Sequence, residues 1–458
     1  VSSVLTTFLA AVATAAGGAL VAAIVNAIRQ LLRGDSPLRQ AVISGLIGAA
    51  IGFAAALIFG CAVNREPTLK IYSSLPGREL GGTTHKPAGD VRRAIDLALK
   101  DADGKVGKFK IEHVALDPTD EDGAFTPQSV QANARKAAQD GKTAVYIGDF
   151  SSTASIQSIP VLSEARIPQI SPSSTRVGLT LGDEFVDTDE PEKYYPNGYR
   201  NFARIIPNDD VQAAAVTALM KAEGCEKVAI IYDGRDYSQG LAVLMTLFKK
   251  PKRAFREDVR PKEGSRRYTE LARLAKSKRA DCFQYIGDSN PNTYDIFRAF
   301  ADELPGAKLY GTDGVTESSL KDPDSGELAD FATRVRLMRP PRDLNADQGF
   351  RESFAQEYDG QEPDPYAIYG YEAMRLALAA IKASGSGDPG DVREQLLGMR
   401  RSSSVLGSYS IDEDSGDTSL IDYDVFRFKN GRWDLDRAVS PAVLERSMEV
   451  LRKRKARE

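Results

Sequence analysis

The sequence predicts an α/β protein with at least two buried cores, and three observations carry that reading. From Thr68 onward, short apolar runs alternate with amphipathic segments, the pattern of βα units built around parallel sheets. The 458 residues exceed one ordinary domain, and 42% hydrophobic residues can fill two cores once an apolar N-terminal portion is set aside. Two histidines and three cysteines, scattered along the chain, make no paired ligand spacing, which excludes a structural zinc cage.

The elements follow in order. The first strand reads 69–72, and a helix from about Asp90 places Val91, Ala94, Ile95 and Ala98 on one face. The next strand, 110–116, stops at Asp117-Pro118. Thr126 is a good N-cap with Pro127 at the first helical position, and Gly141 is the expected stop before the buried strand 144–147. Residues 168–171 close this series. A second series begins after Arg204, with a helix at 211–221, strands at 227–232, 282–286 and 308–310, and a helix beyond Ser238. Helical patterns at 349–358 and 366–381 precede a hairpin at 423–435, which turns at Asn430-Gly431. Residues 444–455 form a basic amphipathic stretch, expected as a solvated terminal helix. No fixed-period repeat is present.

Residues 1–66 read as a membrane anchor. The apolar runs 5–28 and 41–63 each reach the roughly 20 residues that span a bilayer. Between them Arg29, Arg33 and Arg39 outweigh Asp35, which places this loop in the cytoplasm and everything after Val63 outside. The sequence Ile58-Phe59-Gly60-Cys61 resembles a bacterial lipoprotein box, with cleavage before Cys61 and lipid on its sulfur. An uncleaved two-helix anchor is the alternative, and a buried helical hairpin the soluble one; both tethered forms leave the remainder on the extracytoplasmic face of the cell membrane. A formal charge of −4, from 60 basic and 64 acidic residues, offers no field to attract nucleic acid.

Five stretches in register carry a family resemblance: 69–76 (LKIYSSLP), 146–155 (YIGDFSSTAS), 167–175 (IPQISPSST), 202–210 (FARIIPNDD) and 228–240 (VAIIYDGRDYSQG). They resemble periplasmic-binding-fold (type I) proteins of the branched-chain amino-acid, leucine-binding type, the substrate-binding proteins of ABC transporters. The resemblance covers about 68–433. It implies two Rossmann-like lobes joined by crossing segments near 202–209, 332–343 and 404–412. Lobe 1 is then 68–204 plus 343–405, lobe 2 is 205–342 plus 406–435, and 436–458 is a basic C-terminal tail.

At 148–153 a buried strand gives way to a helix, where hydroxyls and unpaired backbone N–H groups favour a carboxylate or other anion. Ser152 is the leading ligand contact, the plain alternative being that Ser151 or Ser152 only caps the helix. The resemblance implies that Ser173 and Thr175 hold the ligand's carboxylate and ammonium, that Tyr237 closes over it, and that Asp313 faces the ammonium. Two departures disfavour leucine itself. Gly81-Gly82 stands where a ligand-packing aromatic is common, and Asp288 stands where the second lobe often offers another. A polar or cationic amino acid, an amide or a small peptide suits such a site better.

Cys225 precedes one strand of the second series and Cys282 opens another, so a disulfide forms if those strands are neighbours; otherwise both are small buried thiols. The acidic loops 117–122 and 412–417 lack the spacing of a calcium loop. Neither His85 nor His113 lies in a nucleophile-base setting, and no Gly-x-Ser-x-Gly elbow or phosphate-binding Gly-Lys-Ser loop occurs, so no catalytic role and no cofactor are expected. The expected partners are an amino-acid-like ligand, the membrane, and an ABC permease with its ATPase subunits. A membrane-tethered sensor acting through a partner protein is the rival reading.

Overall fold

A computed structural model describes residues 66–455, apart from 78, 81–82, 85, 120–125, 183–186, 261–263, 289, 291 and 341–343. The two expected membrane segments, Cys61, Gly81-Gly82 and His85 lie outside the described residues. Among the described residues no helix is long and apolar enough to cross a membrane.

From Thr68 the chain builds two α/β lobes whose sheets share one strand order. In the first, β1 (Thr68–Ser74), α1 (Lys86–Asp101), β2 (Phe109–Leu116), α2 (Pro127–Gln139), β3 (Thr143–Gly148), α3 (Ser152–Glu164), β4 (Gln169–Ser171) and β5 (Phe202–Arg204) follow one another. The five strands are parallel in the order β2-β1-β3-β4-β5. Val91, Ala94, Ile95 and Ala98 of α1 are buried on one face, as their spacing requires. The Thr126 hydroxyl accepts from the Ser129 N–H and Pro127 opens α2, but the helix ends at Asp140 rather than at Gly141. Asp140 is held there by side-chain bonds from Lys70 Nζ and Tyr72 Oη, each 2.8 Å. Gly141 is therefore not needed in a left-handed conformation, and it does not adopt one.

The second lobe runs α4 (Asp209–Ala222), β6 (Lys227–Tyr232), α5 (Asp236–Thr246), β7 (Lys252–Asp258), α6 (Gly264–Ser277), β8 (Cys282–Ile286), α7 (Thr293–Glu303), β9 (Lys308–Gly311) and β10 (Val335–Arg339). Its parallel strands take the order β7-β6-β8-β9-β10, the same permutation as the first lobe. The repeat is therefore structural, although no sequence period reveals it. In both lobes the order reverses beside the first strand, which splays the loops at the carboxyl ends and opens a crevice there. Because β6 and β8 are neighbours, Cys225 and Cys282 come together, and they form a disulfide with Cα atoms 6.0 Å apart.

The chain then returns to the first lobe with α8 (Leu344–Glu357), α9 (Ala367–Ser384) and α10 (Pro389–Leu396). α9 lies so close to α1 that a Cβ on Gly370 would sit 2.4 Å from the Val91 carbonyl oxygen, so only glycine fits. Finally β11 (Tyr423–Lys429) and β12 (Arg432–Val439) extend the second sheet as an antiparallel hairpin. Its turn residues Asn430 (φ 52°) and Gly431 (φ 82°) are both left-handed, which matches the twist of the paired strands. α11 (Pro441–Lys455) closes the described chain.

Two expectations need correction. Residues 406–420 belong with the first lobe, because Leu406, Tyr409, Ile411 and Leu420 are buried in its core; the last crossing comes only between Leu420 and Tyr423. Nor is the basic tail solvated. Leu444 and Leu451, seven residues apart and thus on one helix face, are buried in the second-lobe core beside residues of α4, and Lys455 Nζ pairs with Asp210 at 2.8 Å. Its charges mark the outer face of a docked helix. Leu444→Ala should therefore destabilise the protein by about 2–5 kcal/mol in urea unfolding, as for other core truncations; a loss below about 0.5 kcal/mol would mean that α11 contributes nothing to the core.

Candidate functional site

The candidate site lies where the carboxyl ends of the two sheets approach each other. β3 runs into Asp149, Phe150 and the start of α3; β4 into 172–176; β6 into Asp233 and α5; β8 into Gly287-Asp288; β9 into Thr312-Asp313. A parallel strand fed by a right-handed crossover delivers all these loops to one edge, so residues far apart in sequence converge.

Two buried carboxylates dominate the crevice. Asp313 accepts from Tyr237 Oη at 2.7 Å on one oxygen and from Tyr366 Oη at 2.8 Å on the other. Tyr237 belongs to α5 of the second lobe, whereas Tyr366 packs in the first-lobe core just ahead of α9, so one carboxylate is shared by both lobes. Tyr237 Oη also lies 3.0 Å from Gln212 Oε1, and Gln212 Nε2 donates to Tyr423 Oη at 3.0 Å. Asp209, in the first turn of α4, is 1% exposed, and among the described residues its carboxylate makes no hydrogen bond of ordinary geometry, although the Thr175 side chain lies close enough to oppose the rise in its titration. Burial pushes its carboxyl well above the usual range, and the Asp313 charge adds to the shift, against Thr175, Arg204 and Arg176.

The first-lobe wall is polar and rigid. Ser152 is the first residue of α3, and its hydroxyl accepts from the Arg176 N–H at 3.2 Å, tying the helix start to the loop after β4. Ser151, the N-cap, makes no side-chain capping bond, and the Ala154 and Ser155 N–H groups donate to its carbonyl, which leaves the very start of α3 without a side-chain cap. Ser173 Oγ donates to the Phe150 carbonyl at 2.7 Å, and the Thr175 carbonyl accepts from the Asp209 N–H at 2.9 Å. Behind them Arg204, fully buried, donates to the carbonyls of Ser174 and Arg176 and pairs with Asp417 at 2.7 Å. Arg176, paired with buried Glu190 at 2.8 Å, reaches the Asp236 carbonyl at the start of α5, at 2.5 Å.

The sequence reading singled out Ser152, Ser173, Thr175, Tyr237, Asp288 and Asp313. Thr175, Tyr237 and Asp313 gather around the buried polar centre, and Ser152 lines the first-lobe wall. Ser173 spends its hydroxyl on a neighbouring loop. Asp288 lies further along the second-lobe wall, 2.8 Å from Arg235. Asp209, Gln212 and Tyr366 were missed, although Asp209 stands inside the quoted stretch 202–210; its burial was the missing signal. His113 needs correction. It does bridge a serine and a carboxylate, with Ser73 Oγ 2.8 Å from Nε2 and Asp96 Oδ1 2.6 Å from Nδ1. Ser73, however, is fully buried within β1, out of reach of any substrate.

Comparison with known proteins agrees with this geometry. The family model described as periplasmic binding protein matches residues 80–431. A Leu/Ile/Val-binding protein homolog of Brucella abortus is 26% identical over 405 residues, 86% of this chain and 97% of its own. Among solved structures, a leucine-binding protein LivK of Thermotoga maritima superposes with a TM-score of 0.67 at 21% identity, covering 82% of this chain and 99% of its own. The branched-chain amino acid transporter substrate-binding protein LivJ of Streptococcus pneumoniae, in complex with isoleucine, gives 0.66 at 18% identity, covering 81% and 98%. At these identities the two structures establish the fold.

Beneath the first-lobe wall, Asp149 ties the loops together. Its carbonyl accepts from Ser171 and Ser174, and its N–H donates to Ser155. Burial raises its carboxyl from 3.8 to about 7, against the hydroxyls of Ser158, Ser74 and Tyr146. Between those two values the folded protein holds a proton that the unfolded chain has released, so stability falls as pH rises through that window and is level above it. The loss is on the order of 4 kcal/mol. Asp149→Asn, which cannot ionise, should flatten the curve of unfolding free energy between pH 4 and 7; an unchanged slope would mean that Asp149 is ionised throughout.

Proposed function

Because this chain belongs to the periplasmic binding protein family, we propose that it is the extracytoplasmic substrate-binding component of an ABC uptake system and binds an amino-acid-like zwitterion between its lobes. The observation that carries the reading is Asp209, a buried carboxylate without a well-formed hydrogen bond among the described residues, within the field of the Asp313 carboxylate. Two carboxylates at this depth favour an ammonium group, which satisfies the orphaned oxygens and relieves their mutual repulsion. The uncapped start of α3 with Ser152 receives the carboxylate, as a helix N-terminus does for anions. Thr175 supports the ammonium from the first lobe, and Tyr237 and Tyr366 fix Asp313 from either side. Ser173 acts through the loop it holds.

The mechanism is conformational. The ligand bridges the lobes, stabilises the closed arrangement by its differential affinity, and the closed form is presented to a permease whose ATPase supplies the energy. Residues 1–66 tether the body to the outer face of the membrane, through two helices or through lipid on Cys61. On this reading the chain leaves the first lobe after Ile206, returns to it after Arg339, and leaves it again at 421–422.

The test is calorimetric titration of the full chain with L-amino acids. An ammonium bound at Asp209 stabilises its ionised form, so binding releases a proton and affinity rises with pH while Asp209 is still protonated in the free protein. Titration at pH 6 in two buffers of different ionisation enthalpy should show that release. Asp209→Asn should abolish it and weaken binding at least about tenfold, equivalent to 1.4 kcal/mol. A folded protein that binds no zwitterion would sink the reading.

A further inference from the structure

The second-lobe wall carries one pair of charged side chains that the ammonium and carboxylate positions leave unused. Arg235, immediately before α5, donates Nη1 to Asp288 Oδ2 at 2.8 Å, and its Nε lies 3.8 Å from Asp233. Among the described residues Arg235 Nη2 and Asp288 Oδ1 have no hydrogen-bond partner, and about two fifths of each side chain stays accessible, at 40% and 36%. The pair sits next to the proposed ammonium position. A Cβ on Gly314, one residue beyond Asp313, would lie 3.0 Å from Asp288 Oδ1, and Arg235 is two residues from Tyr237, which bonds Asp313. The pair therefore shares with Asp313 one stretch of the second-lobe wall.

We propose that Arg235 and Asp288 read the end of the ligand's side chain and select a carboxamide over an aliphatic, acidic or basic group. The inference rests on the amino-acid reading above. Asp233, 3.8 Å from Arg235 Nε, gives the three groups a net negative charge that repels an added carboxylate, and an added ammonium would leave Arg235 Nη2 facing a like charge with no acceptor. A carboxamide satisfies both, its oxygen accepting from Arg235 Nη2 and its NH2 donating to Asp288 Oδ1. An aliphatic side chain desolvates both groups and returns no hydrogen bond, and sites built to bond a polar group reject analogues that lack it. Desolvation and the nearby charges of Asp233 and Asp313 raise the Asp288 carboxyl, opposed by Arg235, whose hydrogen bond favours the ionised, accepting form.

The experiment is competition calorimetry on the full chain with glutamine, asparagine, leucine, glutamate and lysine as probes. Glutamine or asparagine should bind at least ten times more tightly than the other three. Asp288→Leu and Arg235→Leu should each remove that margin. Asp288→Asn, which conserves volume, provides a second reading should either leucine variant fail to fold, and it should shift preference toward glutamate. Leucine binding as tightly as the amides in the unaltered protein, or an amide preference that survives all three substitutions, overturns the proposal while leaving the amino-acid function standing. Failure of every amino acid to bind would remove that function itself.

Discussion

A carboxylate withdrawn from water is among the least favourable things a fold can contain, and this crevice is organised around two of them. Asp313 is stabilised by tyrosine hydroxyls from both lobes, whereas Asp209 has no hydrogen bond of ordinary geometry among the described residues and is tempered only by the Thr175 side chain and the charges of Arg204 and Arg176. The proposed role of the crevice as a receiver of positive charge rests on that imbalance. It also couples recognition to closure, since Tyr366 reaches Asp313 only when the lobes are in contact.

The surroundings are built to hold that arrangement. Arg204 clamps the carbonyls of the loop after β4 and joins the first crossing to the segment around Asp417. Arg176, backed by buried Glu190, spans to the second lobe on the opposite side of the crevice. α11 anchors on the second-lobe core, and its Lys455 pairs with Asp210, next to Asp209. Contacts of this kind restrict the groups around the crevice, and such restriction lowers the ordering that binding would otherwise require.

The Ser73, His113 and Asp96 contacts show why geometry alone does not define chemistry. The three side chains are spaced like a nucleophile, a base and its orienting acid, yet Ser73 lies inside β1 beneath α1 with no exposed surface. A buried hydroxyl and imidazole must find partners, and here they find each other. Access separates a satisfied core network from a reactive one.

The sequence by itself determined the βα alternation, the N-cap of α2, the hairpin turn at Asn430-Gly431 and the family to which the chain belongs, because these rest on local spacing and on residue types that tolerate few backbone conformations. It also marked Ser152, Thr175, Tyr237 and Asp313 before any of them had a position in space. Only the tertiary structure decided that β6 and β8 are neighbours, so that Cys225 meets Cys282, and that 406–420 fold back onto the first lobe. It alone docked α11, and it alone gathered Asp209, Gln212 and Tyr366 about Asp313. Burial and pairing are long-range: a carboxylate reads the same in sequence whether it faces water or a sealed crevice, and only the packed chain assigns its environment.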